Sequence, residues 1–252
     1  MSHFPTGEPI LNPGIYLDTM SVLVAKLLTA HQGLVVELQR FWLLWSYQHP
    51  VPPFTLAWRL VLKRAVDVIA SALGLLFLMP LLACIALAVK LTSKGPIFYN
   101  QERVGHFGER FTMYKFRTMI VDAEVNGPVW ADQQRDPRVT PLGNFLRQTH
   151  LDELPQLLNV LTGQMSLVGP RPERPCFVER LDRQIPRYDR RLLVKPGLTG
   201  LAQVHYRYDQ TVDDVKRKLR FDLFYIKRMC LMLDLRILAW TFLVVVTGRG
   251  IR

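Results

Sequence analysis

Two adjacent carboxylates, Asp152 and Glu153, are the side chains of this sequence best suited to chemistry on a phosphate. Asp152 is predicted to cap a helix that runs from Glu153 to about Leu161, with Gly163 just past its end. The dipole at such a helix start keeps carboxylates ionised and attracts phosphate. A carboxylate can attack phosphorus to give an acyl phosphate, and its neighbour can hold Mg²⁺. The same pair is also typical of an ordinary helix start.

Three basic residues could bind phosphate oxygens next to this pair. Arg147 precedes it near the end of another predicted helix, and Lys115 lies on a predicted strand. Arg171 lies between two prolines that stiffen its loop, and a rigidly held guanidinium suits bidentate phosphate binding. Taken singly, each is equally typical of a solvated side chain or a simple turn. His150 is interpreted as a packing or surface residue rather than a base.

A β-hairpin and several helices are predicted to position these residues. Strands at residues 97–103 and 110–118 would be joined by a turn with Gly105 and Gly108. Thr140, followed by proline, predicts the start of a helix that ends near Gln148. Residues 195–204 are interpreted as a turn-rich stretch.

Two further helices are predicted towards the end of the chain. The first opens at Thr211, has acidic residues in its first turn, and carries an apolar stripe formed by Val215, Leu219, Leu223 and Ile226. Its basic residues lie largely off that stripe, and they suit either anionic headgroups or plain solvent. The second, residues 231–246, is interpreted as a helix that lies against the membrane or the core.

Residues 68–89 form one uninterrupted apolar run. A helix of this length covers roughly 33 Å, which is enough to cross a hydrocarbon core. Pro80 near its middle predicts a kink, and basic residues flank both ends. Under the positive-inside rule both ends stay in the cytoplasm, which favours a bent, re-entrant helix. A straight span is the alternative.

The first part of the chain has a different composition. Residues 20–45 have apolar residues at helical spacing, with Phe41, Trp42 and Trp45 near the end. An interfacial amphipathic helix and a helix packed on the protein both fit. Pro50, Pro52 and Pro53 then predict a linker. The sequence is accordingly divided into an extension (1–57), a membrane helix (58–95) and a catalytic domain (96–252).

Overall composition excludes some classes of protein. The 252 residues are 49% hydrophobic, with a formal net charge of +11 and a mean hydropathy of +0.11. That content excludes a disordered chain, and a basic, apolar chain points to a membrane surface, to anionic substrates or to both. The three cysteines are widely spaced, which predicts neither a disulfide scaffold nor a metal pattern and suggests a reducing compartment. The sequence has no Walker loop, GxGxxG, HExxH or GxSxG motif.

Ordered stretches from about Leu62 to Arg252 resemble the bacterial sugar transferase family, the monotopic polyprenyl-phosphate hexose-1-phosphate transferases. The matching stretches are Lys63-Arg64 with Asp67, Gly95-Pro96-Ile97-Phe98, Gln101-Glu102-Arg103-Val104-Gly105, Tyr114-Lys115-Phe116-Arg117-Thr118-Met119, Leu151-Asp152-Glu153-Leu154-Pro155-Gln156-Leu157, Met165-Ser166-Leu167-Val168-Gly169-Pro170-Arg171-Pro172 and Lys195-Pro196-Gly197-Leu198-Thr199-Gly200. The chain departs from the family at Met79, often Ser before the proline, and at Gln164, where many relatives carry Asp.

This resemblance implies a fold and a location. The fold class is α/β, mostly helical: a monotopic membrane-associated catalytic domain with a re-entrant helix bent at Pro80, a small β-hairpin and interfacial helices. The protein would lie on the bacterial inner membrane, with its catalytic domain on the cytoplasmic face and phospholipid around the helix. The N-terminal helix would bind either the membrane or a second subunit, which leaves a homodimer open.

The resemblance also implies a mechanism. Asp152 would attack the β-phosphate of a UDP-sugar, expel UMP and carry the sugar phosphate, which polyprenyl (undecaprenyl) phosphate would then accept. Glu153 would help Asp152 to bind Mg²⁺, and Lys115, Arg147 and Arg171 would hold phosphate oxygens. The Pro-Arg-Pro-Glu-Arg-Pro sequence that contains Arg171 resembles exopolysaccharide-type members, which favours a hexose such as glucose or galactose.

Two other functions compete with this one. A catalytically silent membrane scaffold of the same fold is disfavoured by the intact acidic pair and its three cations. A basic nucleic-acid binder is disfavoured by the long apolar run, and no nucleic-acid partner is expected.

Overall fold

The computed structural model describes residues 56–121, 123, 136–206 and 211–247, with side chains from Arg59 onwards. The chain divides into two units between Pro52 and Pro53. The predicted N-terminal helix and proline linker lie outside the described residues.

The described part is mostly helical, with two small sheets, as the sequence predicts. Its α-helices are α1 (Leu56–Thr92), α2 (Pro141–Gln148), α3 (Gln156–Thr162), α4 (Pro175–Gln184), α5 (Leu201–His205), α6 (Val212–Arg228) and α7 (Leu231–Thr247). Its strands are β1 (Phe98–Val104), β2 (Arg110–Phe116), β3 (Ser166–Val168) and β4 (Gly197–Thr199). Short 3₁₀ turns cover His106–Gly108, Leu151–Glu153 and Tyr188–Leu193.

Strands β1 and β2 form the predicted antiparallel hairpin, with Phe98 opposite Phe116 and Val104 opposite Arg110. Gly108 at its tip has a φ of 84°, a value that glycine adopts without a Cβ penalty. Lys115 lies on β2, as predicted, and pairs across the ladder with Tyr99.

Strands β3 and β4 form a second, parallel sheet that the sequence analysis did not predict. Their connection carries Arg171 and α4, so the two strands are distant in sequence. A Cβ on Gly197 would lie 2.1 Å from the backbone nitrogen of Gly169, and only glycine allows the two segments to approach so closely. Most of the stretch interpreted as turns is therefore β4 and α5.

Helix α1 runs without interruption through Pro80 and leaves most of its apolar side chains exposed. Residues Arg59–Thr92 have a hydropathy of 2.6 in their most apolar window, only 11% of which is buried. This helix is long and apolar enough to cross a membrane, which indicates membrane association.

The first turns of α1 dock onto the rest of the protein. Lys63 Nζ donates to Asp234 Oδ2 at 2.8 Å and to the Val168 carbonyl at 3.0 Å. Arg64 donates to the carbonyls of Val160 and Leu161, near the end of α3. The basic residues ahead of the apolar run are thus bound within the protein as well as flanking a membrane segment.

Local start signals in the sequence are confirmed at α2 and α6. The Thr140 hydroxyl accepts from the backbone nitrogen of Gly143, and Pro141 is the first residue of α2. Thr211 and Asp214 form a reciprocal capping box at the start of α6. The predicted apolar stripe of α6 buries Val215 and Leu219. The sequence analysis did not identify α4, which packs with α6 in one cluster.

Cysteines Cys84, Cys176 and Cys230 all lie in the described part and are free.

Candidate active site

Asp152 and Glu153 lie in the 3₁₀ turn between α2 and α3, and Asp152 does not cap a helix. This corrects the sequence-based prediction, because α3 begins at Gln156 with Pro155 at its N-cap. An N-cap carboxylate accepts from the backbone nitrogen two or three residues on. Three residues after Asp152 stands Pro155, which has no N–H to donate. The chain instead forms a tight turn after His150, whose φ is 58°.

Glu153 joins two of the three predicted cations in one cluster. Its Oε1 accepts from Lys115 Nζ at 2.7 Å and from Arg171 Nη2 at 2.9 Å. Lys115 comes from β2 and Arg171 from the loop after β3, so three separate segments meet at one carboxylate oxygen.

Opposing effects set the protonation of this cluster. Burial raises the pKa of Glu153, but the charges of Arg171 and Lys115 outweigh it and hold that pKa well below its ordinary value. Burial lowers the pKa of Lys115, and the charge of Glu153 opposes this. The charge of Glu153 is the main cause that raises the pKa of Arg171. Glu153 is therefore ionised at neutral pH and is already paired before any substrate binds.

Asp152 is buried, with 8% of its surface exposed. Burial, followed by the charge of Glu153, raises its pKa to about 6, while Lys115, Arg147 and Arg171 oppose that rise. Asp152 is thus ionised at neutral pH and gives up its charge below about pH 6.

Arg147 completes the set of predicted residues near Asp152. It lies in the last turn of α2, as predicted, and its Nε donates to Thr118 Oγ1 at 2.9 Å. Its charge acts on Asp152 without being tied to Glu153. All five predicted site residues are therefore gathered around one turn.

A buried amide, Asn159, connects α3 to the hairpin beside Lys115. Its Oδ1 accepts from the Tyr114 backbone nitrogen at 3.1 Å, and its Nδ2 donates to the Thr112 carbonyl at 2.7 Å. The same Nδ2 donates to Gln164 Oε1 at 2.8 Å. Gln164 therefore supports the amide that fixes the Lys115 strand.

Several residues that fix the elements around the site received no role in the sequence analysis. They are Lys63, Arg103, Arg191, Asp222, Tyr225 and Asp234. One signal was present: Asp222 falls on the apolar stripe of α6, where a polar residue needs a buried partner. Its partner Arg191 lies on a 3₁₀ turn with no periodic pattern to reveal it.

The donor set at the turn bears on the predicted Mg²⁺. Among the described residues, no group of three or more His, Cys, Asp and Glu side chains could hold a metal ion. Mg²⁺ in phosphate-transfer sites is held by one or two carboxylates together with substrate phosphates and water. Asp152 and Glu153 supply such a pair of oxygen ligands, so the residues present fit Mg²⁺.

Comparison with known proteins bears on this arrangement. The sequence model of the bacterial sugar transferase family matches residues 58–248. The chain is 42% identical over 191 residues to UDP-N-acetylgalactosamine-undecaprenyl-phosphate N-acetylgalactosaminephosphotransferase of Aeromonas hydrophila. The aligned region covers 76% of this chain and 45% of that protein. The chain is 46% identical over 183 residues to UDP-glucose:undecaprenyl-phosphate glucose-1-phosphate transferase of Escherichia coli, which covers 72% and 39%.

A third relative is matched almost completely. The exopolysaccharide production protein PSS of Rhizobium leguminosarum bv. phaseoli is 40% identical over 202 residues, which covers 76% of this chain and 98% of that protein. Against the first two relatives, by contrast, the chain spans less than half of their length. The family match extends from the start of α1 to the end of α7 and contains the whole site. The chain therefore belongs to the bacterial sugar transferase family.

Proposed function

We propose that this protein is a phosphoglycosyl transferase that moves a hexose-1-phosphate from a UDP-sugar to undecaprenyl phosphate and releases UMP. The observation that carries the proposal is the buried Asp152 beside Glu153, which is bound by Lys115 and Arg171. The names of two relatives support it, because they describe transfer of a sugar phosphate to undecaprenyl phosphate.

Asp152 performs the proposed chemistry in two displacements. Its ionised carboxylate attacks the β-phosphorus of the UDP-sugar, the bond from that phosphorus to the bridging oxygen breaks, and UMP leaves with the electron pair. A phosphate oxygen of undecaprenyl phosphate then attacks the phosphorus held by Asp152. The acyl–phosphate bond breaks, which regenerates the carboxylate and yields the diphosphate-linked sugar.

Lys115, Arg171 and Arg147 bind the phosphate oxygens during both displacements. The pairs with Glu153 use one of the three donors of the Lys115 ammonium and one guanidinium nitrogen of Arg171, and the remaining donors of both side chains are suited to phosphate. Arg147 is held by Thr118 and has no tie to Glu153, so its charge is available to the diphosphate beside Asp152.

Asp152 and Glu153 would hold Mg²⁺, as the fit of their oxygens to this metal supports. When bound, the metal neutralises diphosphate charge and so makes phosphorus accessible to an anionic nucleophile. Glu153 keeps its low pKa in the absence of metal because Lys115 and Arg171 pair with it, so it is a ready ligand at neutral pH.

The proposal includes a place at the membrane. Helix α1 would enter and leave the cytoplasmic leaflet of the inner membrane as a re-entrant helix bent at Pro80, which makes the protein monotopic. Its exposed apolar surface against phospholipid and the need to reach a lipid-linked acceptor support this placement. The division into residues 1–57, 58–95 and 96–252 belongs to the same proposal, in which the N-terminal segment binds either the membrane or a second subunit.

The donor sugar and the pathway are proposed at the level of class. The two named transferases use UDP-glucose and UDP-N-acetylgalactosamine, and the third relative is named for exopolysaccharide production. We assign the chain to the first membrane step of exopolysaccharide or other surface glycan synthesis, with glucose or galactose as the favoured sugar.

A UMP-release screen tests the proposal. The full chain in lipid nanodiscs is supplied with Mg²⁺, undecaprenyl phosphate and, in turn, UDP-glucose, UDP-galactose, UDP-N-acetylglucosamine and UDP-N-acetylgalactosamine. We expect UMP from at least one donor, dependence on Mg²⁺, and no loss in a control variant of the exposed α6 residue Asp213→Asn. Absence of UMP with every one of these donors would contradict the proposed transfer.

A further inference from the structure

The loop that carries Arg171 is held by its backbone oxygens. Four consecutive carbonyls each accept a hydrogen bond from a different donor: Pro170 from Gly197 N at 2.9 Å, Arg171 from Arg191 Nη2 at 3.0 Å, Pro172 from Arg103 Nη1 at 3.0 Å and Glu173 from Val104 N at 2.9 Å. Two of these residues are prolines and have no N–H to donate. The loop is therefore held mainly by the hydrogen bonds that its carbonyl oxygens accept.

Arg191 holds the oxygen of Arg171 itself. The Arg191 side chain is only 9% exposed, and its Nη1 donates to the Tyr188 hydroxyl at 2.6 Å. Its Nη2 lies 3.0 Å from Asp222 Oδ2 and donates to Arg171 O at the same distance. Asp222 is almost completely buried on α6.

We propose that Arg191, fixed by Asp222, is a positioning residue that sets the backbone of Arg171 so that its guanidinium reaches Glu153 and the substrate diphosphate. This inference rests on the proposed function for the identity of the substrate. The chain of contacts runs from Asp222 through Arg191 to Arg171 O, and from Arg171 Nη2 to Glu153 Oε1 at 2.9 Å.

Packing alone does not explain this pair. A buried ion pair is a poor source of stability, because desolvation of both charges offsets their attraction. The same α6 already packs through Val215 and Leu219 against Leu181, Ile185 and Tyr188. The buried charges instead supply what an apolar pair could not, namely a hydrogen-bond donor, Arg191 Nη2, directed at the Arg171 carbonyl. Small displacements of a phosphate-binding group cost large factors in rate.

The test uses Arg191→Lys and Asp222→Asn in the full chain in nanodiscs, with Val215→Ala as the matched control for lost stability. Lysine keeps the charge opposite Asp222, but its single nitrogen cannot contact Tyr188, Asp222 and Arg171 O as a planar fork does. We expect kcat/KM for the best UDP-sugar to fall about tenfold or more in Arg191→Lys. We expect Val215→Ala to keep the activity of the wild type even though its Tm is lowered to a value similar to that of Arg191→Lys.

A double variant separates positioning from a general effect. If Arg191 acts through Arg171, Arg191→Lys should cost much less in an Arg171→Lys background than in the wild type. An equal loss in both backgrounds would overturn the inference, as would a loss in Val215→Ala that matches the one in Arg191→Lys.

Hydrogen exchange gives a readout that does not depend on activity. We expect the hydrogen-bonded amides at this loop, those of Gly169, Val104 and Gly197, to exchange faster in Arg191→Lys and Asp222→Asn than in the wild type and in Val215→Ala. Unchanged exchange would overturn the inference. If the wild type released no UMP while exchange still increased, the proposed function would fail but the fixation of the loop by Arg191 would stand.

Discussion

At the scale of single residues, the site depends on a carboxylate that is buried and still ionised at neutral pH. Burial raises the pKa of Asp152, and the charges of three nearby cations limit that rise. Glu153 differs because two of those cations contact it directly. Neighbouring carboxylates in one turn thus have separated pKa values, which suits one for attack and the other for permanent charge.

The first prediction concerns the covalent step. Asp152→Asn keeps the size of the side chain but removes the attacking charge, so turnover should be lost while the fold remains. With UDP-sugar alone, the wild type should form a sugar-phosphate adduct that intact mass spectrometry detects and peptide mapping assigns to Asp152. Turnover by Asp152→Asn, or UMP that forms only with the lipid acceptor and without an adduct, would contradict double displacement.

The second prediction concerns pH. The raised pKa of Asp152, about 6, means that the carboxyl becomes protonated and non-nucleophilic as pH falls through that value. Single-turnover UMP release at fixed Mg²⁺ should therefore decrease from pH 7 to pH 5. In Glu153→Gln the residual rate should have its midpoint at lower pH, because a negative charge that raises the pKa of Asp152 is gone. A midpoint that stays or moves upward would contradict this electrostatic account.

The third prediction concerns Arg171. Arg171→Lys keeps the charge but loses the planar pair of donors, so activity should fall by about tenfold or more, on the order of 1–3 kcal/mol of transition-state stabilisation. Steady-state kinetics with the best UDP-sugar measure this loss. Rates close to those of the wild type would mean that Arg171 serves only to pair with Glu153.

At the scale of elements, the position of Arg147 depends on how closely α2 approaches the end of the hairpin. The Thr118 carbonyl accepts from the backbone nitrogen of Thr140, directly before α2. A Cβ on Gly143 would lie 2.0 Å from that carbonyl oxygen, so glycine is what allows the contact. Because Thr118 Oγ1 also holds Arg147, one junction fixes both the helix and the Arg147 side chain.

The fourth prediction tests this junction. Gly143→Ala should force α2 away from Thr118, with a loss of roughly 1–3 kcal/mol in the free energy of unfolding and a drop in UMP release. Thermal unfolding and kinetics measure the two effects. Asn144→Ala, at the exposed neighbouring position, should change neither. A fully stable and active Gly143→Ala would show that α2 can shift without consequence.

At the scale of the whole molecule, α1 has two kinds of surface. Its first turns bind Val168, Asp234 and the end of α3 through Lys63 and Arg64, whereas its later turns expose apolar side chains such as Phe77 and Leu91. The helix that contacts the membrane is thereby attached to β3, directly before the Arg171 loop.

The fifth prediction concerns the topology of α1. Single cysteines at Arg59 and Lys94, in a background without Cys84, Cys176 and Cys230, should both react with a membrane-impermeant thiol reagent from the cytoplasmic side only. Labelling from opposite sides would contradict a re-entrant helix. Pro80→Ala restores a backbone donor inside α1 and should favour a straight span, which would move one of the two positions to the other side.

The sequence by itself determined the features whose signals are local. The capped start of α2, the capping box of α6, the alternation and glycines of the hairpin and the apolar run of α1 each depend on residues a few positions apart. The five candidate site residues were also proposed from type and spacing, with the family resemblance assigning their expected roles, and the structure brings them together around one turn. These features can be predicted from sequence because a helix cap or a turn is formed by residues that are close together in the chain.

Only the tertiary structure decided how the segments meet. The parallel pairing of β3 with β4, the contact of Lys63 with Asp234 and the pair of Arg191 with Asp222 join residues far apart in sequence. The start of α3 at Gln156 also departed from the predicted Asp152 cap, since Pro155 removes the donor that such a cap needs. The partner of each buried charge depends on how the elements pack together, and no periodic pattern along the chain predicts it.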